Sequence, residues 1–182
     1  MRFEPTSIPG VVVVELEPHG DDRGYFARAH CPEEFSAAGC PFVPVQSSLS
    51  RNHAARTLRG MHYQPVPHGE AKLVRVVRGR IYDVALDLRP RSEAFGRWTA
   101  AELSADNGRA LLIPEGVAHG FITLEPESDI LYMIDRMFVA GHGRAVRWND
   151  PAFAIDWPAA PEVISPADAG LPDFVLDSLG ER

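Results

Sequence analysis

The stretch AKLVRVVRGRIYDVALDLR, residues 71–89, constrains the fold of this chain more than any other. It reads as two extended arms joined by a tight turn at Arg78-Gly79-Arg80. Side chains of an extended strand alternate between two faces, so the period of two predicts strands of an antiparallel sheet. The residues that share a face are Lys72, Val74 and Val76 on the first arm, and Tyr82, Val84, Leu86 and Leu88 on the second, with Asp83 and Asp87 opposite.

The remaining apolar runs are also short and separated by turns. VVVVELE (11–17), WTAAELS, RALLIP, GFITLE and DILYMIDRMFV are typical of strands, whereas only PEEFSAAG (32–39) and SPADAG (165–170) suggest short helices. Many short strands with Gly and Pro between them favour a closed or double-sheet structure such as a jelly roll. We therefore expect an all-β domain that spans residues 1–182, with small peripheral helices.

Composition narrows the class of protein. Hydrophobic residues make up 45% of the 182 residues, and the net charge is -7, which argues against general nucleic-acid binding. The first residues lack the apolar core of a signal peptide, and no apolar run approaches the ~18 residues of a membrane span. Two cysteines, Cys31 and Cys40, are expected to be free thiols. These features predict a cytoplasmic protein that binds neither nucleic acid nor membrane.

Several polar residues lie inside strand-like segments where packing alone would not favour them. If they converge in one cavity, such groups describe an acid–base site. The residues are Arg59 and His62 in LRGMHYQ, Lys72 in AKLVRV, His119 in IPEGVAHGF and Tyr132 in DILYMID, with Asp168 in SPADAG.

Metal and nucleophilic chemistry are the first alternatives. Metal-binding β-barrels need several well-placed ligands, but His62 is followed by Tyr63 and Gln64 rather than by a second histidine, and His68 and Glu70 lie in a Pro-rich loop. No Gly-x-Ser-x-Gly elbow is present. We therefore expect neither a catalytic metal nor a nucleophilic serine.

Proton transfer beside a ketone fits the residue types better. A histidine supplies a base with a pKa near neutrality, and a lysine can stabilise the oxygen of an enolate. A tyrosine hydroxyl can return a proton from the opposite face, and a carboxylate can orient the imidazole. His62, Lys72, Tyr132 and Asp168 provide these four types.

Distinctive motifs run along almost the whole chain. They are DDRGYF (21–26), VQSSLS (45–50), TLRGMHYQ (57–64), residues 71–89, SEAFGRW (92–98), LLIPEGVAHGF (111–121), RWNDPAFAIDWP (147–158) and SPAD (165–168). In this order and at this spacing they resemble the dTDP-4-dehydrorhamnose 3,5-epimerase family. The resemblance implies a cupin-type jelly roll, a homodimer, no cofactor, and a nucleoside-diphosphate 4-keto-6-deoxy sugar as substrate, most simply dTDP-linked.

The resemblance also implies roles. His62 would be the base and Asp168 its partner, Lys72 would stabilise the enolate oxygen, and Tyr132 would be the opposing acid. Other residues would bind the nucleotide and the sugar, some of them across the dimer from the N-terminal region. These are Arg23, Phe26, Gln46, Arg59 and His119; Phe138 and Trp148 are further candidates for the pocket.

Strand geometry raises a problem at residue 60. Strict alternation places Arg59 and His62 on opposite faces, yet both are expected to line the site. Gly60 is the position where a bulge costs least. We therefore predict a kink or bulge at Gly60.

The chain departs from the family pattern after the acid. Phe138 stands where the family usually has tyrosine, Ala140 where it has proline, and Gly143 where it has glutamate. By strand parity with Tyr132, Phe138 should still face the cavity, and the missing hydroxyl leads to the hypothesis that epimerisation is confined to carbon 3. Arg28 replaces a usual Glu and Ser48 a usual Asn, which puts thymidine specificity in question unless Arg28 is simply a surface residue.

Other readings remain open at this point. A ketoisomerase needs the same base beside a ketone, a non-catalytic nucleotide-sugar binder could result from the altered 138–143 segment, and a metal-dependent oxygenase is a further rival. His119 either contacts the ligand or makes a structural hydrogen bond. Simpler expectations hold for other residues. Asp83 and Asp87 either face solvent or one of them is buried with a partner. His53, His68 and His142 are expected in loops, and Trp98 and Trp157 in the core or an interface.

Overall fold

A computed structural model describes residues 1–175, and this part of the chain consists mostly of β-strands. Its two short helices are α1 (Pro32–Ala37) and α2 (Pro166–Ala169). The strands are β1 (Arg2–Pro5), β2 (Val12–Glu15), β3 (His19–Asp21), β4 (Gly24–Phe26), β5 (Gln46–Asn52), β6 (Thr57–Tyr63), β7 (Lys72–Arg78), β8 (Arg80–Asp87), β9 (Trp98–Ser104), β10 (Arg109–Ile113), β11 (Val117–Thr123), β12 (Ser128–Ile134), β13 (Arg144–Ala145) and β14 (Val163–Ile164).

The strands form two main sheets packed face to face. The first sheet has the order β1-β2-β10-β7-β12-β5, and the second has the order β13-β6-β11-β8-β9, with β14 beside β6. Apolar side chains from both sheets, such as Val74 and Leu111 of the first and Ile81 and Phe121 of the second, form one buried cluster between them. This arrangement confirms the predicted jelly roll.

The segment 71–89 forms the two predicted strands, but they do not pair with each other. β7 pairs with β10 and β12 of the first sheet, whereas β8 pairs with β9 and β11 of the second. The turn at Gly79 is therefore a corner that carries the chain from one sheet to the other. A Cβ at this glycine, which has a φ of 76°, would lie 2.4 Å from Ser128 Oγ, so the corner requires glycine.

Of the two alternatives for Asp83 and Asp87, solvent exposure is wrong, and burial with a partner holds for both residues rather than for one. Both lie on the inner face of β8 and are fully buried, each with a partner. The opposite, apolar face of β8 is also covered, because the segment 146–174 packs against it through residues such as Phe153 and Trp157. Both faces of this sheet are buried, so its polar residues lie inside.

The first sheet is covered on its outer face by α1 and the segment after it. Phe35 and Phe42 pack there against β2, β7 and β10. Helix α1 ends before Gly39, as predicted, and this glycine has a φ of 78°. Both cysteines are free, and neither helix of the described residues has the length or apolar character to cross a bilayer.

Candidate active site

Strand β6 carries the bulge that was predicted at Gly60. His119 of β11 is paired with His62 and Phe121 is paired with Arg59, so two residues of β6 lie opposite the single residue between His119 and Phe121. Residues directly opposite one another in an antiparallel pair point to the same face. Since His119 and Phe121 both point inward, the extra residue turns Arg59 and His62 to the same inner side.

Gly60 is needed for this irregularity. Its φ is 134°, and a Cβ there would lie 2.4 Å from the Cα of Gly120 on the neighbouring strand. A side chain would therefore meet backbone that has no room to move. The bulge depends on two glycines that face each other across β6 and β11.

His62 is held by a carboxylate from a distant part of the chain. Its Nε2 lies 2.7 Å from Oδ1 of Asp168, which is on α2. The Ser165 hydroxyl caps α2 by accepting a hydrogen bond from the Asp168 amide. Because Nε2 donates to the carboxylate, Nδ1 is left with its lone pair and can accept a proton. The imidazole is 49% exposed and Asp168 is 10% exposed, so the base is accessible and its partner is not.

A cleft of about 650 Å³ opens beside this pair. Lys72 and Glu70 lie in its wall, with Lys72 Nζ 3.1 Å from Glu70 Oε1. The cleft therefore has a base, an ammonium group and two carboxylates around one space. It is lined by His62, Tyr63, Gln64, Glu70, Lys72, Phe138, Gly143, Arg144, Ala145, Ala167, Asp168 and Leu171.

Tyr132 lies on the inner face of the first sheet but not in the lining of this cleft. Its ring centroid is 5.8 Å from that of His119, which is the cross-strand partner of His62. Both predicted proton-transfer residues are thus neighbours of the same histidine. Burial of the hydroxyl group raises the pKa of Tyr132, and the nearby Asp83 carboxylate raises it further, whereas Arg59 opposes the shift. The phenol therefore keeps its proton.

His119 makes a structural hydrogen bond. Its Nε2 is 2.6 Å from Oδ1 of Asp83, and the two side chains are 5% and 0% exposed. Burial raises the pKa of Asp83, and the contact with His119 opposes the rise. Asp83 Oδ2 has no hydrogen-bond partner among the described residues.

Two predicted binding residues lie on the same inner faces. Arg59 donates through Nε to Asn52 Oδ1 at 2.8 Å, which ties β6 to β5. Gln46 is in the same cross-strand row as Lys72 and donates to the carbonyl of Arg136 at 2.6 Å. Both residues are thus near the acid–base groups without lining the cleft.

Phe138 lies in the cleft wall, but strand parity is not the reason. β12 ends at Ile134, and Phe138 belongs to the loop that follows. This loop approaches the 64–71 loop, since the rings of His68 and His142 are 4.0 Å apart. Phe138 therefore reaches the cleft through the path of the loop.

The remaining residues that were predicted near the nucleotide do not line the cleft of the single chain. Arg23 and Phe26 lie on the β3–β4 hairpin; Phe26 is 79% exposed, and Arg23 pairs with Asp21. Arg28 pairs with Glu34 of α1 and is a surface residue.

Trp148 does not line this cleft of the single chain. Its carbonyl accepts a hydrogen bond from Trp157 Nε1 at 2.8 Å, and the two rings are 6.5 Å apart. Trp157 belongs to the cluster on the outer face of the second sheet. The segment that follows β13 covers this outer face, so the chain carries Trp148 away from the inner cleft.

Sequence reasoning missed three polar residues of the cleft: Gln64, Glu70 and Arg144. The period of two offered a signal for two of them, because Gln64 follows His62 by two positions and Glu70 precedes Lys72 by two. Among residues 1–175, no group of three or more His, Cys, Asp or Glu side chains is arranged to hold a metal.

Such a site can remove a proton from carbon and return it. It combines an imidazole oriented by a carboxylate, an ammonium group in the same cleft and a neutral phenol nearby. A jelly roll with this equipment belongs to the cupin-type epimerases, which are isomerases.

Comparison with known proteins identifies the family. The family model described as dTDP-4-dehydrorhamnose 3,5-epimerase matches residues 5–175. The dTDP-4-dehydrorhamnose 3,5-epimerase of Pseudomonas aeruginosa is 42% identical over 159 residues, which cover 87% of each chain. This chain belongs to the dTDP-4-dehydrorhamnose 3,5-epimerase family and is a sugar-nucleotide epimerase.

Solved structures agree with this assignment. The crystal structure of dTDP-4-dehydrorhamnose 3,5-epimerase from Bacillus anthracis, with TDP and PPi bound, has a TM-score of 0.91 at 38% identity and covers 95% of this chain and 99% of that one. ChmJ, a 3'-monoepimerase from Streptomyces bikiniensis in complex with dTDP-quinovose, has a TM-score of 0.86 at 31% identity, covering 93% and 86%. Enzymes that epimerise one carbon and enzymes that epimerise two carbons thus share this fold.

Proposed function

We propose that this chain epimerises a dTDP-linked 4-keto-6-deoxy sugar by reversible enolisation. The observation that carries the proposal is the His62–Asp168 pair, 2.7 Å apart, in a cleft that also contains Lys72. The dTDP link is supported by the TDP and dTDP-quinovose bound to the two similar enzymes.

In this proposal His62 Nδ1 takes the proton from a carbon next to the ketone. The electrons of the broken C–H bond form the enolate, and the positive charge of Lys72 stabilises the negative charge on the enolate oxygen. Tyr132 then delivers its proton to the opposite face of that carbon, and the carbonyl forms again. Proton exchange with solvent returns His62 to its neutral form and restores the proton of Tyr132. Asp168 holds the imidazole in the productive tautomer and stabilises its protonated form.

We propose that only carbon 3 is inverted. Phe138 lacks a hydroxyl, and Gly143 lacks a side chain, both in the cleft wall. Each loss removes a polar contact from the region that would hold the rest of the sugar ring. The similarity to a 3'-monoepimerase supports this version of the function.

Incubation with dTDP-4-keto-6-deoxyglucose in deuterated water tests both parts. Mass spectrometry should find one deuteron per sugar, at carbon 3. Two deuterons reject the single-site hypothesis, and no incorporation rejects epimerisation and leaves a non-catalytic binder. Analysis of the product sugar separates epimerisation from ketoisomerisation, because a ketoisomerase moves the carbonyl.

The double variant Phe138→Tyr, Gly143→Glu sharpens the test. Phe138 is largely exposed, and a Cβ at Gly143 would meet nothing within 4 Å, so both side chains have room. We expect this variant to incorporate a second deuteron at carbon 5. Exchange that stays confined to carbon 3 would mean that other residues restrict the reaction.

We also propose a homodimer in which the β3–β4 hairpin of one subunit reaches the other's site. Tyr25 and Phe26 are exposed apolar residues on this hairpin, beside Arg23. Light scattering should give twice the mass of the chain, and Phe26→Ala should raise the KM for the nucleotide sugar. A monomer with full activity would reject this arrangement. The cytoplasmic location stays a prediction.

A further inference from the structure

Glu70 is a buried carboxylate in the cleft wall, and the proposed reaction assigns no step to it. Its side chain is 7% exposed, and that of Lys72 is 13% exposed. Glu70 Oε1 lies 3.1 Å from Lys72 Nζ, and Oε2 accepts a hydrogen bond from Gln64 Nε2 at 2.8 Å. Most ion pairs of this chain are far more exposed; Arg80 and Glu102, for example, are 43% and 51% exposed.

We propose that Glu70 is a positioning residue that acts through Lys72. An ammonium on a flexible four-carbon stem is a mobile point charge, and burial disfavours that charge unless an opposite charge is close. The carboxylate meets both needs, because it fixes Nζ at the cleft wall and preserves its positive charge. The inference rests on the proposed function, in which Lys72 receives the enolate oxygen.

Gln64 supports this interpretation by fixing the carboxylate. An ionised carboxylate only accepts hydrogen bonds, so the amide must present Nε2 to Glu70. This orientation leaves Gln64 Oε1 buried without a partner among the described residues. An unpaired buried acceptor loses its hydrogen bond to water without replacement, and such exceptions in native structures call for an explanation. The orientation of Glu70 toward Lys72 is that explanation.

The chain Gln64–Glu70–Lys72 also connects to the base. Gln64 follows His62 by two residues at the end of β6, and Lys72 begins β7 of the other sheet. The three side chains thus link the two sheets across the cleft. They set where the ammonium stands relative to the imidazole, which enolisation requires to be constant.

The test is a double-mutant cycle with Glu70→Gln and Lys72→Met, measured as the rate of deuterium incorporation from solvent. Glu70→Gln keeps the shape but removes the charge, so kcat should fall roughly 10- to 100-fold, within the range of coupling between contacting residues. KM should change little, because Glu70 positions the ammonium and does not itself hold the substrate. In the Lys72→Met background, Glu70→Gln should have less than about a twofold further effect, because its partner is already absent.

Two further variants serve as a control and as a substitute. Asp129→Asn is a matched control, since Asp129 is a mostly buried carboxylate paired with Arg51 at 3.0 Å, outside the cleft. It should leave kcat and KM unchanged. If Glu70→Gln does not fold, Gln64→Leu removes only the support of the carboxylate and should lower kcat by a smaller factor, again with little change in KM.

The inference is overturned if Glu70→Gln keeps the wild-type kcat. It is also overturned if the loss is equally large with and without Lys72, because Glu70 would then act independently. If the wild-type protein incorporates no deuterium, the proposed function fails and this inference with it. An active wild type with an indifferent Glu70 overturns the inference alone.

Discussion

Two His–Asp pairs occupy neighbouring positions in this protein, and they differ in exposure rather than in geometry. The Nε2–Oδ1 distance is 2.7 Å in His62–Asp168 and 2.6 Å in His119–Asp83. The imidazole of the first pair is half exposed in the cleft, whereas both members of the second are almost completely buried. The two histidines are also direct cross-strand partners on β6 and β11.

Because the two distances are nearly equal and only the exposure differs, a short His–Asp distance does not by itself identify a catalytic base. A base must exchange its proton with substrate and solvent, which His62 can do and His119 cannot. The buried pair has another consequence: the Asp83 carboxylate helps to raise the pKa of Tyr132, so the phenol remains protonated beside it. One pair thus suits proton transfer, and the other sets the environment of the acid.

The largest expected effect separates the pairs by activity. Replacing the base by His62→Asn should lower the rate of solvent deuterium incorporation roughly 10³-fold, the usual contribution of a general base. The free energy of unfolding should change by less than about 1 kcal/mol, since the imidazole is half exposed. Denaturant titration provides that control. A rate within tenfold of wild type would show that His62 is not the base.

The second prediction separates the pairs by stability. His119→Ala leaves the Asp83 carboxylate buried without its partner, which should lower the free energy of unfolding by about 3–5 kcal/mol. Asp83→Asn, which removes the charge as well, should cost less. Equal and small losses in His119→Ala and His62→Asn would mean that burial does not distinguish the two pairs.

The sequence could predict the strands and one irregularity between them. Alternation in the segment 71–89 defined β7 and β8, and the conflict between Arg59 and His62 located the bulge at Gly60. These features follow from local geometry, because period-two patterns and glycine positions are visible without knowledge of distant contacts.

The features that were not predictable depend on distant parts of the chain. The outer face of the second sheet is covered by residues 146–174, so the usual rule of one solvated face failed for Asp83. The same covering segment carries Trp148 away from the cleft of the single chain. Asp168 is 106 residues from His62, so no local pattern could place the two together; residue type and the family resemblance suggested the pair.

The smallest predicted effect is the part of the alkaline loss of stability that comes from Tyr132, which lies beside the buried pair. Burial raises its pKa, so below pH about 10 both the folded and the unfolded chain hold the proton. Above that pH the unfolded chain releases the proton while the folded chain keeps it, and the contribution to stability is lost as pH rises. The slope from this one group is at most about 1.4 kcal/mol per pH unit.

Tyr132→Phe should therefore lose stability less steeply than wild type above pH 10, as followed by denaturant unfolding at closely spaced pH values. Tyr82→Phe is the matched control, because burial also raises the pKa of Tyr82, but this residue lies less deep on the outer face of the second sheet. Its effect on the slope should be smaller. Parallel losses in wild type and Tyr132→Phe would show that the phenol beside Asp83 titrates like an ordinary tyrosine, and the electrostatic role of the buried pair would then have to be abandoned.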